Sequence, residues 1–157
     1  MNIKLIAIGK TDNSALQQLI ADYEKRLSHY VNFQMQIILD IKNSKSLSEE
    51  QQKAKEGELI LKNIENSHHL ILLDERGKEY TSVGFSEFLQ KQMNTGTKQI
   101  VFVIGGPYGF SEEVYQRANG KLSLSKLTFS HQMIRLFFVE QIYRAFTILK
   151  NEPYHHR

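Results

Sequence analysis

The chain has 157 residues, 41% hydrophobic and 24% charged, with a formal net charge of +3. Those proportions suit a single globular domain that buries a sizeable core, and they exclude a disordered chain. The absence of cysteine excludes a disulfide framework, a thiolate nucleophile and a Cys-ligated metal site.

Residues 3–8 form a short apolar run, the first expected strand. Thr11, Asp12, Asn13 and Ser14 offer helix caps, and Leu16, Leu19, Ile20, Tyr23 and Leu27 recur at helical spacing as far as about Tyr30. Residues 33–41 are strand-like. Ser48 and Gln51 make a capping box that opens a helix ending near Glu65. Residues 70–73 are a continuous apolar strand. Thr81 or Ser82 starts a helix with Phe85, Phe88, Leu89 and Met93 on one face. Residues 100–104, unbroken and β-branched, are expected to form a central strand covered on both faces. A short helix begins at residues 111–113, residues 122–127 form a last short strand or extended loop, and residues 131–150 are the longest helix. Strand and helix alternate, so the class is α/β with a mainly parallel sheet and helices on both faces. No run of about 18 apolar residues would span a membrane. The first five residues lead into a strand pattern rather than a signal peptide. A cytoplasmic protein without membrane contact is expected.

Ligands of such sheets bind at the carboxyl ends of the strands. Two strand ends stand out. One is Leu73-Asp74-Glu75-Arg76-Gly77-Lys78, where Asp74 either meets a ribose hydroxyl or caps a turn, the turn being favoured. The other is Gly105-Gly106-Pro107-Tyr108-Gly109, which leads into a helix. Its glycines permit close backbone approach to a ligand or serve a plain turn. It is neither a Walker A loop nor a dinucleotide fingerprint. Residues 122–131 mix hydroxyls with alternating Leu and suit either a polar edge strand or a loop whose backbone meets a ligand.

The last helix is apolar on more than one face, which calls for a covering layer or a second copy; a homodimer is favoured. Arg135 and Arg144 on it are nine residues apart and project about 180° from each other. Charge is uneven: residues 1–79 carry 11 Lys and Arg against 12 Asp and Glu, residues 80–157 carry 9 against 5. Seven basic residues fall after Val114 (Arg117, Lys121, Lys126, Arg135, Arg144, Lys150 and Arg157). Such a basic stretch either attracts a polyanion such as RNA or is an ordinary solvated surface. The tail Tyr154-His155-His156-Arg157 carries groups able to stack on a base, move a proton and grip phosphate. A frayed terminus is the plain alternative. Two adjacent histidines without a third ligand make no metal site.

Taken in order, Leu72 to Lys78, Phe102 to Gly109, Leu124 to Phe129, Glu140 to Phe146 and Pro153 to His155 resemble the bacterial ribosomal RNA large-subunit methyltransferase H family over the whole chain. The resemblance implies one SPOUT methyltransferase domain over residues 1–157, with a carboxyl-terminal trefoil knot, acting as a homodimer without metal. It implies S-adenosylmethionine held by Leu73, Gly105, Leu124, Ser125, Lys126, Leu127, Thr128 and Phe129. It implies methylation of N3 of a pseudouridine in 23S rRNA on the assembled ribosome. Arg144 and Arg157 would supply RNA grip, and Arg144, Tyr154 and His155 the catalytic groups. The chain departs from the family at Ser130, where Pro is common, and in its doubled histidine. A nucleotide- or ribosome-binding module without turnover is the competing expectation. A phosphate-binding hydrolase lacks a nucleophile here.

Overall fold

The computed structural model describes residues 1–156. The chain runs β1 (Asn2–Ile8), α1 (Ser14–Leu27), β2 (Asn32–Ile38), α2 (Glu49–Lys62), β3 (His69–Glu79), α3 (Ser82–Asn94), β4 (Gln99–Ile104), α4 (Glu112–Arg117), β5 (Gly120–Ser123) and α5 (Met133–Leu149). A 3-10 turn at Ser44–Ser46 precedes α2. Helix starts follow local chemistry. Asn13 accepts from the Ala15 and Leu16 N–H groups, Ser48 and Gln51 close the capping box, and Thr81 and Ser111 cap α3 and α4.

The strands form one sheet in the order β2-β1-β4-β3-β5, with every neighbouring pair parallel. Period-2 side-chain alternation splits the core in two. Leu5, Ile71, Phe102 and Ile104 face α1, α3 and α5 through Leu27, Leu89, Phe138 and Ile142. Ile6, Leu72, Val101 and Val103 face α2 and α4 through Ile60 and Val114. Residues 100–103 of β4 are fully buried, as expected for the central strand.

Several boundaries differ from the sequence pattern. α1 ends at Leu27 and β2 at Ile38, leaving Leu39 and Asp40 exposed. The expected strand at 70–73 runs on to Glu79, and the turn favoured for Asp74 lies inside it. The reason is an irregular pairing with β5: Leu73 and Lys78 both register with Leu122. Asp74 Oδ1 accepts the Arg76 N–H at 2.8 Å inside that bulge, a local turn contained within the strand. A Cβ on Gly77 would fall 2.6 Å from the Leu122 nitrogen, so only glycine lets β5 approach there.

The 122–127 element also divides. β5 stops at Ser123, whose hydroxyl donates to the Ser125 carbonyl, while Ser125 Oγ accepts from the Leu127 N–H. Local side-chain bonds here replace a strand ladder. From the sheet edge the chain crosses to the carboxyl end of β1. There Gln132 Nε2 donates to the Lys10 carbonyl and Gln132 Oε1 accepts the Asp12 N–H. α5 then packs between α1 and α3.

Candidate active site

The crossing segment roofs a cavity of about 400 Å³ over the carboxyl ends of β3, β4 and β5. Its walls come from three separated stretches of chain, 73–76, 104–110 and 122–129, with Tyr115, His131 and Ile134 closing it. The size and the mixture of apolar walls with backbone suit a nucleotide-sized ligand.

The glycine turn forms one wall. Gly109 has φ +83° and donates its N–H to the Gly106 carbonyl at 3.2 Å. Pro107 and Gly109 hold the second and fourth places of that turn, as their backbone preferences favour. A Cβ on Gly105 would fall 3.0 Å from the Phe110 ring, so this wall is as thin as backbone can be. Opposite it, Leu127 is 75% exposed, an apolar side chain at the mouth. Asp74 is engaged by Tyr115, whose hydroxyl donates to Oδ2. Burial and that carboxylate push the Tyr115 phenol up to about 12.

A second cluster lies at the other end of α5. Arg144 Nη2 donates to Glu140 Oε1 at 2.6 Å and Nη1 to His155 Nδ1 at 3.0 Å. A guanidinium only donates, so His155 Nδ1 is the acceptor and the neutral ring keeps its proton on Nε2. The Tyr154 hydroxyl donates to Glu140 Oε1 at 2.8 Å and lies 3.2 Å from the Tyr23 hydroxyl. The Arg144 guanidinium stands 4.8 Å from the Tyr154 ring centre. Burial and these hydrogen bonds raise the Tyr154 pKa. The Tyr30 hydroxyl holds Glu152 at 2.6 Å, fixing the chain just before the tail. Ile134 at the cavity and Arg144 in the cluster are ten residues apart on one helix, about 15 Å.

A family model described as "Predicted SPOUT methyltransferase" matches residues 1–155. Ribosomal RNA large subunit methyltransferase H of Flavobacterium johnsoniae is 69% identical over 157 residues, covering 100% of both chains. The protein of the same name from Christiangramia forsetii is 65% identical over the same span. That from Parabacteroides distasonis is 63% identical over 156 residues, 99% of each chain. The chain belongs to the SPOUT methyltransferase family, in the methyltransferase H group.

In this SPOUT chain, Leu73, Gly105, Leu124, Ser125, Leu127, Thr128 and Phe129 line the same cavity. Lys126, from the same expected set, is exposed and stands outside that lining, between two residues tied by local hydrogen bonds. Arg144, Tyr154 and His155 meet in the second cluster. Arg157 lies outside the described residues. Glu140 lies in a segment that carries the resemblance, but that it holds the tail with Tyr23 and Tyr30 is not visible in the sequence, because the partners of Tyr23 and Tyr30 are more than a hundred residues away and Tyr154 lies beyond the end of α5. Two of the basic residues counted towards a polyanion surface are corrected to structural roles. Arg117 donates to the Glu65 and His68 carbonyls at 2.8 and 2.9 Å. Arg135 is 1% exposed and bonded to the end of β1. Among the described residues no cluster of three metal-ligating side chains occurs, and no helix is long and apolar enough to cross a membrane.

Proposed function

We propose that the protein methylates N3 of a pseudouridine in 23S rRNA of the assembled ribosome, using S-adenosylmethionine, as a cytoplasmic homodimer. The observation that carries this is the convergence of three distant chain segments on one cavity roofed by the crossing segment, which would be the threaded part of a trefoil knot. The cavity walls fit the cofactor. Backbone of Leu73, Gly105 and 124–129 would hold adenine and ribose, and the glycine wall leaves no side chain in the way. When bound, S-adenosylmethionine supplies an electrophilic methyl group on a sulfonium.

The protein's part is position and field. Arg144 would set positive charge beside the uracil carbonyls and so stabilise the imide anion left when water takes the N3 proton; N3 would then bond the methyl carbon as its bond to sulfur breaks, and S-adenosylhomocysteine would leave. His155, held at Nδ1 by Arg144, keeps a proton on Nε2 for donation to a carbonyl of the base. That arrangement supports an orienting role for His155. Tyr154, packed edge-on at 4.8 Å from Tyr143, offers a ring for the flipped base. Arg157 would grip RNA phosphate.

Cavity and tail lie too far apart to work together within one chain. A partner's tail therefore completes each site. Met133 (41% exposed) and Phe137 (39%) provide an apolar α5 face for that partner.

The test is calorimetric titration with S-adenosylmethionine, then transfer of labelled methyl to ribosomes lacking the modification. Binding and transfer to 23S rRNA are expected. Binding without transfer would favour a nucleotide-binding module. No binding would remove the cofactor assignment. His155→Ala is expected to lower kcat about a hundredfold, with cofactor Kd changed less than about threefold.

A further inference from the structure

Glu56, on α2, is 4% exposed. Its Oε2 accepts from Gln52 Nε2 at 3.2 Å, while its Oε1 is buried with no hydrogen-bond partner. Native folds seldom leave a carboxyl oxygen in that state, because the desolvation penalty is not recovered. Burial raises the pKa of the group and nearby Asp40 raises it further, against the Gln52 hydrogen bond.

The carboxyl group does meet the glycine turn. A Cβ on Gly106 would fall 2.5 Å from Glu56 Oε1 and 2.6 Å from Oε2, so the two oxygens fill the space that a side chain at 106 would need. The next residue of α2 meets the cap of α4, two residues past the turn: a Cβ on Gly57 would fall 2.5 Å from Ser111 Oγ. The opposite side of the turn is the cavity wall, to which residues 105–109 all contribute. Glu56 is not part of the cavity lining. It stands behind the wall and touches it where the backbone has no side chain to hold it in place.

We propose that Glu56 is a positioning residue for the 105–109 turn: its buried carboxyl backs Gly106 and holds the turn at the distance from the crossing segment that the cofactor requires. This rests on the assignment of the cavity to S-adenosylmethionine. The unpaired oxygen is then a stability sacrifice retained for function. A side chain kept only for the fold would lower stability when changed. A positioning acid of this kind would lower affinity without lowering stability.

The first measurement is amide hydrogen exchange on the ligand-free chain. In Glu56→Ala, exchange at Gly106 and Gly109 is expected to quicken at least about tenfold while Phe102 and Val103 of β4 keep their protection. Unchanged exchange at the turn overturns the proposal. The second is calorimetry with S-adenosylmethionine on Glu56→Gln, which keeps the volume, and on Glu56→Ala, which does not. Cofactor Kd is expected to stay within about threefold of wild type in Glu56→Gln and to rise about tenfold in Glu56→Ala, with kcat at saturating cofactor within about threefold in both. Wild-type affinity in Glu56→Ala, or an equal loss in both variants, overturns it. The third is a size exchange. Gly106→Ala is expected to weaken cofactor binding, and Glu56→Ala added to it is expected to restore part of the loss by freeing the space. A double variant no better than Gly106→Ala counts against the proposal. If the wild-type chain binds no S-adenosylmethionine, the cofactor assignment falls, and the exchange measurement still decides whether Glu56 holds the turn.

Discussion

Arg135 illustrates how far a residue's role can depart from its type. On a basic carboxyl-terminal stretch it looks like a phosphate ligand. In the fold it is 1% exposed, with Nη2 donating to the Ile8 carbonyl, Nη1 to the Gly9 carbonyl and Thr11 Oγ1, and Nε to the His131 carbonyl, all at 2.8 to 3.0 Å. Burial lowers its pKa, and the fields of Asp12 and Asp40 act against that. It ties the start of α5 to the end of β1, next to the cavity that His131 helps to line. Arg135→Met would leave these carbonyls unpaired, and a loss of about 3 kcal/mol is expected in urea unfolding, with Arg135→Lys recovering part of it. Burial shifts Glu56 in the opposite direction and sets a pH dependence. Its folded pKa is raised above the ordinary 4.5, so its protonated form is favoured in the fold. That stability is fully present below the unfolded value and is lost as pH rises through the folded one. The Tm of Glu56→Gln should therefore match wild type near pH 4 and exceed it progressively at higher pH, read by calorimetric scans across that range.

Among the elements, β3 and β5 set the shape of the site. The bulge between Leu73 and Lys78 lets a seven-residue β1 and an eleven-residue β3 share one sheet. Leu73 consequently ends the regular ladder with β4 and lines the cavity, while the strand continues beyond it beside β5. Gly77 makes that continuation possible. Gly77→Ala is expected to push Leu122 away and destabilise the chain by about 2 kcal/mol. Faster amide exchange at Lys121 and Ser123, with β1 unaffected, would locate the damage. The helices were the more legible elements, since capping residues and helical spacing are local. The strand ends were less so, because pairing with β5 decides where β3 stops and no residue within β3 reports it.

For the whole molecule, the governing fact is that α5 carries the cavity at one end and the tail cluster at the other. The homodimer proposed above makes a definite prediction from that separation. Arg144→Ala lacks a group of the tail cluster and Gly106→Ala binds cofactor weakly, so at cofactor well below the Gly106→Ala Kd each alone should be nearly inactive. Mixed and allowed to exchange subunits, they should recover about a quarter of wild-type methyl transfer, because half the dimers would hold one intact site. No recovery, with subunit exchange confirmed by mass, would mean that cavity and tail act within one chain. The exposed Met133 and Phe137 are the residues to test for the contact itself, and Phe129, 5.3 Å from Phe137 between ring centres, links that face to the crossing segment.

The sequence by itself determined the α/β class, the helix starts, the central place of residues 100–104 and the two strand ends that matter. Each follows from local propensity or from a periodicity of a few residues, and the family resemblance added the segments around Leu73, Gly105 and 124–129. Only the tertiary structure decided that these segments meet in one cavity, that Lys126 stands outside its lining, that Arg117 and Arg135 are spent on carbonyls, and that Glu56 backs Gly106. The physical reason is the same for the cavity, the two arginines and Glu56. A hydrogen bond or a steric contact between residues distant in the sequence leaves no mark on the spacing of either, and burial alone turns a charged residue from a surface group into a structural one.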